Sequence, residues 1–211
     1  MEKKSYGGKI LADCIRDLGV NKVFTVPGES FLPALNGLYD HKNKIDVITC
    51  RHESGAANMA EAWGKLTGFP GVVFVTRGPG ACHASIGVHT AMQDSSPMVM
   101  FIGQIHSKHK GREAFQEVDY HQFYGAICKE VVQIDHAERV PELVSQAFHI
   151  AASGRPGPVA VSIPEDMQRD MADVADARSF TTVRSEVGPK AMADFRAQLA
   201  NSERPLMILG G

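Results

Sequence analysis

Four short stretches carry side chains able to move a proton or to hold a flat ligand. "RHES" places the Glu53 carboxylate where an apolar, strand-like run hands over to a helix. "VPGE" and "RGPGACH" are glycine turns after strands; Pro27, Gly28 and Glu29 lie in the first, Gly78, Gly80 and His83 in the second. "AFQE" sets Phe115 and Gln116 in a polar stretch. Turns at the carboxyl ends of parallel strands form the rim on which open α/β sheets take ligands. "GPGACH" lacks the third glycine of GxGxxG, and no Lys-Ser/Thr pair follows it. These turns therefore do not advertise a phosphate site, and they suit the close approach of something flat and neutral. Glu53 has two readings. A carboxylate in a first helical turn is favoured by the macrodipole. A partly desolvated one beside a thin helix is suited to proton transfer. Gly55, Ala56, Ala57, Ala60, Ala62 and Gly64 make that helix thin, as at a tight subunit contact. His83 is either an acid/base group, since imidazole titrates near neutrality, or a helix cap.

The elements that must position these residues follow from periodicity. "GGKILADCIRDLGV" has Ile10, Leu11, Cys14, Ile15 and Leu18 at helical spacing and stops at Gly19. Apolar runs at 22–26, 45–49, 72–76, 98–102, 130–134 and 159–163 read as buried strands, with helical stretches between most of them. This alternation predicts a doubly wound α/β fold, with a parallel sheet of about six strands and helices on both faces. The stretch 104–123 is long, polar and mixed, which marks a functional loop more often than an idle one. From about Asp166 the composition turns linker-like. "AMADFRAQLANSE" reads as a short amphipathic helix, and "RPLMILGG" as a new strand and glycine turn. The expected organisation is one domain over 1–166, a linker with a helix over 167–203, and the opening of a further domain at 204–211. On this reading the sequence is an N-terminal fragment.

Composition excludes several classes. The net charge of -2 gives no electrostatic case for nucleic acid or an anionic membrane. No apolar run approaches the ~20 residues of a membrane-spanning helix, and the first residues lack a signal-peptide core. The four cysteines, at 14, 50, 82 and 128, have no CxxC spacing and read as reduced thiols of a cytoplasmic protein. Nine histidines show no HExxH or similar spacing, so no protein-only metal site is expected.

Taken in chain order, "VPGES", "RHESGAANMAEAWGK", "TRGPGACHA", "MQDSSPMVMFIGQI", "GREAFQEVD" and "GRPGPVAVSIPED" resemble the pyrimidine-binding domain of thiamine diphosphate-dependent enzymes. They are most similar to the acetolactate synthase and pyruvate oxidase group. The resemblance covers Tyr6 to Asp166, and the tail "RPLMILGG" resembles the start of that family's middle domain. It implies thiamine diphosphate as cofactor, with Glu53 hydrogen-bonded to N1′ of its aminopyrimidine. That bond favours the tautomer that takes the proton from the cofactor's reacting carbon, which then attacks a 2-keto acid. By the same resemblance Pro27 and Gly28 line the pyrimidine, and Gly80 and His83 lie near the reacting carbon. Phe115 and Gln116 belong to a loop near the substrate, Phe115 being alternatively an apolar anchor for that loop. The resemblance further implies a dimer or tetramer with the cofactor between two chains. Mg²⁺ would be bound by a separate domain through a "GDG…N" pattern that these residues lack, and FAD is left open. The activity implied is acetolactate synthase-like carboligation. The alternatives are a decarboxylase or oxidase on the same scaffold, or a non-catalytic ligand-binding module. Two departures bear on the substrate: Cys82-His83 stand where acetolactate synthases usually have Thr-Asn, and Glu29 replaces the usual second glycine of "PGG".

Overall fold

A computed structural model describes residues 4–179, 181–182 and 185–208. The elements in chain order are β1 (Ser5–Tyr6), α1 (Gly7–Asp17), β2 (Lys22–Thr25), α2 (Leu32–Asp40), β3 (Asp46–Thr49), α3 (Glu53–Thr67), β4 (Gly71–Val75) and α4 (Gly78–Asp94). They continue with β5 (Met98–Gln104), α5 (Tyr120–Tyr124), β6 (Glu130–Gln133), α6 (Val140–Ala152), β7 (Pro158–Pro164), α7 (Glu165–Arg169), β8 (Met171–Ala172) and α8 (Pro189–Ala200). Six strands form one sheet in the order β3-β2-β4-β5-β7-β6, and every pairing is parallel. All six expected runs are strands of this sheet.

Alternation along the central strands sorts side chains to two faces. Val72 and Phe74 of β4 join α1, α2 and α6 in one core. Val73 and Val75 join α3, α4 and Tyr120 and Tyr124 of α5 in the other. The five residues of β4 and the seven each of β5 and β7 are buried throughout, which explains their near-continuous apolar sequences. Edge strand β3 is exposed at Asp46, Val47 and Thr49, with Lys22 paired to Asp46 at 2.8 Å on its flank.

The order of strand addition reverses at β2: from β2 the chain first adds β3 on one side, then crosses to β4 on the other. The carboxyl ends of β2 and β4 therefore bound the crevice in which such sheets bind ligands. Thr25 Oγ1 donates to the Phe74 carbonyl at 2.9 Å and ties these two strands together below the crevice.

The thinness of α3 has a reason within the chain. A Cβ on Gly87 of α4 would stand 2.6 Å from Ala57 Cβ, and one on Gly64 would stand 2.1 Å from the Pro97 carbonyl oxygen. A Cβ on Gly71 would meet the Ala60 carbonyl oxygen at 1.8 Å. Ala56, Ala57 and Ala60 are fully buried. The small residues let α3 lie against α4 and the start of β4. Ala56, Ala57, Ala60 and Gly64 thus have partners within the chain, whereas Gly55 and Ala62 of the same helix are exposed.

The core continues beyond residue 166, since Met167 is fully buried and Ala172 nearly so. β8 pairs antiparallel with β1, Ser5 opposite Ala172. The expected late helix is α8, with every residue exposed. Residues 205–208 have no regular structure, and the anticipated glycine turn at 210–211 lies outside the described residues.

Candidate active site

Glu53 opens α3 directly after the short link from β3. His52 is the N-cap in extended backbone conformation, and its ring Nδ1 accepts from the Ser54 amide at 3.2 Å. An imidazole here does what Ser, Asp or Asn does at most helix starts. The Glu53 side chain is 12% exposed. Its Oε2 is 2.9 Å from His83 Nδ1. The two atoms share one proton. Its Oε1 faces Gly80, 3.4 Å from where a Cβ on that residue would stand. The rings of His52 and His83 lie against each other, centroids 4.4 Å apart, and the His83 side chain is half exposed. His83 therefore does not cap α4. Arg77 holds the N-cap position, and His83 turns its ring to α3.

The glycine turns converge on Thr76, at the end of β4. A Cβ on Gly28 would meet Thr76 Cβ at 2.5 Å, and one on Gly80 would meet Thr76 Cγ2 at 2.9 Å. Thr76 Oγ1 is 2.8 Å from Ser30 Oγ, and Ser30 fills the space left by Gly103 at the end of β5. Gly28, Thr76, Gly80, Glu53 and His83 thus form a continuous series of contacts across the crevice. Pro27 stands beside Gly28, exposed. The glycines leave a cradle that side chains would fill, next to a carboxylate oxygen that has no hydrogen bond among the described residues. That arrangement fits a flat heteroaromatic ring with a ring nitrogen able to pair with Glu53.

The "AFQE" loop is docked onto the second turn. Gln116 has a left-handed backbone, φ 64°, and its carbonyl accepts from the Gly78 amide at 3.1 Å. Gln104 Nε2 donates to the Val118 carbonyl at 2.9 Å. Phe115 is 75% exposed, so it is not a buried anchor for the loop. Its ring instead lies 6.0 Å from the Arg77 guanidinium.

Arg77 is a residue that motif reading passes over. Its guanidinium is 3.0 Å from Glu165 and 4.0 Å from Glu29, and its Nε is buried without a hydrogen-bond partner among the described residues. Its position between the first and second glycine turns, rather than its spacing, gives it away. His52, Ser30 and Thr76 were likewise invisible as site residues, since nothing in "RHES" or "VTRG" distinguishes a wall residue from a strand end.

Comparison with known proteins agrees with this geometry. Residues 6–123 match the family described as "Thiamine pyrophosphate enzyme, N-terminal TPP binding domain". The chain is 38% identical over 207 residues to the acetolactate synthase isozyme 2 large subunit of Escherichia coli K12, covering 97% of this chain and 37% of that protein. It is 33% identical over 216 residues to the acetolactate synthase large subunit of Lactococcus lactis, covering 100% and 37%. Against the probable acetolactate synthase large subunit of Methanocaldococcus jannaschii it is 35% identical over 214 residues, covering 97% and 36%. The chain thus spans little more than a third of the length of the curated relatives it matches. With more than half of its residues matched to the family and a doubly wound parallel sheet around the site, this chain belongs to the thiamine pyrophosphate enzymes and carries their N-terminal TPP binding domain.

Proposed function

We propose that the chain supplies the pyrimidine side of a thiamine diphosphate-dependent enzyme acting on 2-keto acids, most similar in activity to acetolactate synthase. The observation that carries this reading is the Glu53 carboxylate, nearly buried, with Oε1 turned to a glycine cradle and Oε2 held by His83. Thiamine diphosphate, when bound, supplies the carbanion chemistry that 2-keto acid decarboxylation needs. The protein's part is to hold and orient. Glu53 would hydrogen-bond the pyrimidine N1′ through Oε1, with one proton held between the carboxyl oxygen and the ring nitrogen. Pro27, Gly28 and Gly80 let the ring approach the backbone closely. His83 fixes the rotamer of Glu53, and Phe115 and Gln116 border the substrate side.

The rest of the reading is the family's. The pyrimidine-binding unit, expected over 1–166, takes in α7 and β8 as well. Two chains meet with the cofactor between them, and the exposed Met59, Leu66 and Ile86 of α3 and α4 are available for that contact. Mg²⁺ accompanies the diphosphate and is held outside these residues. FAD is a second cofactor in the pyruvate oxidase alternative. The compartment is the cytoplasm; among the described residues no helix is long and apolar enough to cross a membrane.

The test is Glu53→Gln in the full protein, with deuterium exchange at C2 of bound thiamine diphosphate followed by NMR. Exchange should slow by ~10² or more, the usual worth of general acid–base catalysis, with folding unchanged. A rate within about twofold of wild type would leave Glu53 as a helix-start carboxylate favoured by the dipole. Product analysis with pyruvate and 2-ketobutyrate separates carboligase from decarboxylase and oxidase.

A further inference from the structure

His52, Glu53 and His83 come from two segments thirty residues apart, yet one ligand atom from each lies within 4.8 Å of the others. Among the described residues this is the sole group of three His, Cys, Asp or Glu side chains so placed. We propose that the three form a binding site for a borderline divalent d-block cation, Zn²⁺ or its chemical neighbours, and that filling it takes Glu53 away from the cofactor.

Several features favour a metal over a chance cluster. Two imidazoles and one carboxylate are the ligand set of many three-residue zinc sites with an open fourth position. Imidazole-rich sets select zinc, copper, nickel and cobalt, and leave Mg²⁺ and Ca²⁺ to all-oxygen sites. The carboxylate is preoriented, since its side chain is nearly buried and already bonded to one of the two imidazoles. Ser54 Oγ lies 2.7 Å from His52 Nδ1; with the ring bound through Nε2, Nδ1 carries the proton and donates to that oxygen in place of accepting from the Ser54 amide. An outer partner of this kind fixes ring orientation at metal sites. Two ligand atoms on one tetrahedral zinc lie roughly 3.3 Å apart at metal–ligand distances of about 2.0–2.1 Å. The required closure is small, and both rings are exposed enough to turn.

The second half of the proposal rests on the functional reading above. Glu53 is the carboxylate in the cradle, and its two oxygens move as one group: closing Oε2 onto a cation held by His52 and His83 turns Oε1 away from Gly80 and the pyrimidine side. A d-block cation would then compete with thiamine diphosphate, while Mg²⁺ would not. Acetolactate synthases that carry Asn at the position of His83 lack one of the three ligands, so this response would distinguish the present chain from them.

The experiment is a Co²⁺ titration of this chain, read by the visible absorption of four-coordinate cobalt, followed by displacement with Zn²⁺. His83→Asn and His52→Asn should each weaken binding at least tenfold, since even outer partners at metal sites carry 10–100-fold. Asn keeps a helix cap at position 52, and circular dichroism checks that both variants fold. His89→Asn, an exposed histidine on α4, and Cys82→Ser should leave the titration unchanged. Equal Co²⁺ affinity in wild type, His52→Asn and His83→Asn, or binding of Mg²⁺ as tight as that of Co²⁺, would overturn the site. The second arm measures thiamine diphosphate affinity of the full protein with and without Zn²⁺. A fall of tenfold or more in wild type, absent in His83→Asn, supports the competition. Metal binding with no change in cofactor affinity would keep the site and overturn the assignment of Glu53 to the cofactor.

Discussion

Glu53 and Gly80 face each other across the crevice: a Cβ on Gly80 would stand 3.4 Å from Glu53 Oε1 and 2.9 Å from Thr76 Cγ2. The glycine therefore keeps open the space in front of the carboxylate. Gly80→Ala puts a methyl group there. Alanine gains about 0.5–1 kcal/mol over glycine inside a helix, which offsets a clash with one mobile methyl. Thermal stability should stay within about 1 kcal/mol of wild type. Thiamine diphosphate affinity of the full protein should fall roughly tenfold or more, about 1.4 kcal/mol per decade. Calorimetry of unfolding and of binding, run in parallel, checks both numbers.

Gly87→Ala tests why α3 is thin. The added Cβ would meet Ala57 Cβ at 2.6 Å, and also backbone atoms of Ala57 and Asn58 at 2.7 and 2.8 Å, which cannot give way without moving α3. Overpacking of this kind costs about 1–3 kcal/mol. Gly55→Ala on the same helix meets nothing within 4 Å and should stabilise by about 0.5–1 kcal/mol. Urea midpoints should move in opposite directions for the two variants.

Phe115 is exposed and touches the rest of the chain mainly through Arg77. An exposed cation–π contact is worth about 0.5–1 kcal/mol, so Phe115→Ala should leave the melting temperature almost unmoved. If the residue borders the substrate, KM for the 2-keto acid should rise in the full protein. Steady-state kinetics beside a thermal melt separates the two effects.

Asp13 predicts the acid limb of stability. Burial pushes its carboxyl upward, but hydrogen bonds from His41 and Lys9, with the charges of Lys9 and Arg16, outweigh it and hold the group below its ordinary 3.8. A carboxylate with a lowered folded pKa adds stability that is fully present above its unfolded value and lost as pH falls through the folded one. The stability gap between wild type and Asp13→Asn should be constant near neutrality. It should shrink below about pH 4, as urea titrations from pH 7 to pH 2 would show.

The sheet was legible because its strands are buried on both faces, so β4, β5 and β7 read as unbroken apolar runs. Helix α5 was not, because only Tyr120 and Tyr124 of its five residues are buried, and one turn gives no periodicity to find. α7 and β8 were hidden by a polar, linker-like composition that packs through Met167, Ala172 and the fully buried Gln168. At the site, Glu53, Gly28 and Gly80 were found because each sits at a strand end with an unusual residue type. Thr76 has an ordinary type for a strand end and His52 caps its helix, and the part of both in the site comes from contacts with residues thirty or more positions away.

The bond from the Gly78 amide to the Gln116 carbonyl has a mechanical meaning. It bolts the substrate-side loop to the first turn of α4, the helix that carries His83. Any displacement of residues 116–118 must drag the start of α4 with it, and so disturb the hold of His83 on Glu53. The upstream part of the loop, where Gly111 and Glu113 both have left-handed backbones, is tied back as well: the Gly111 and Ala114 amides donate to Glu117, and the Ser107 amide donates to Asp166. The loop, the carboxylate and the wall opposite it are thus joined through one series of bonds.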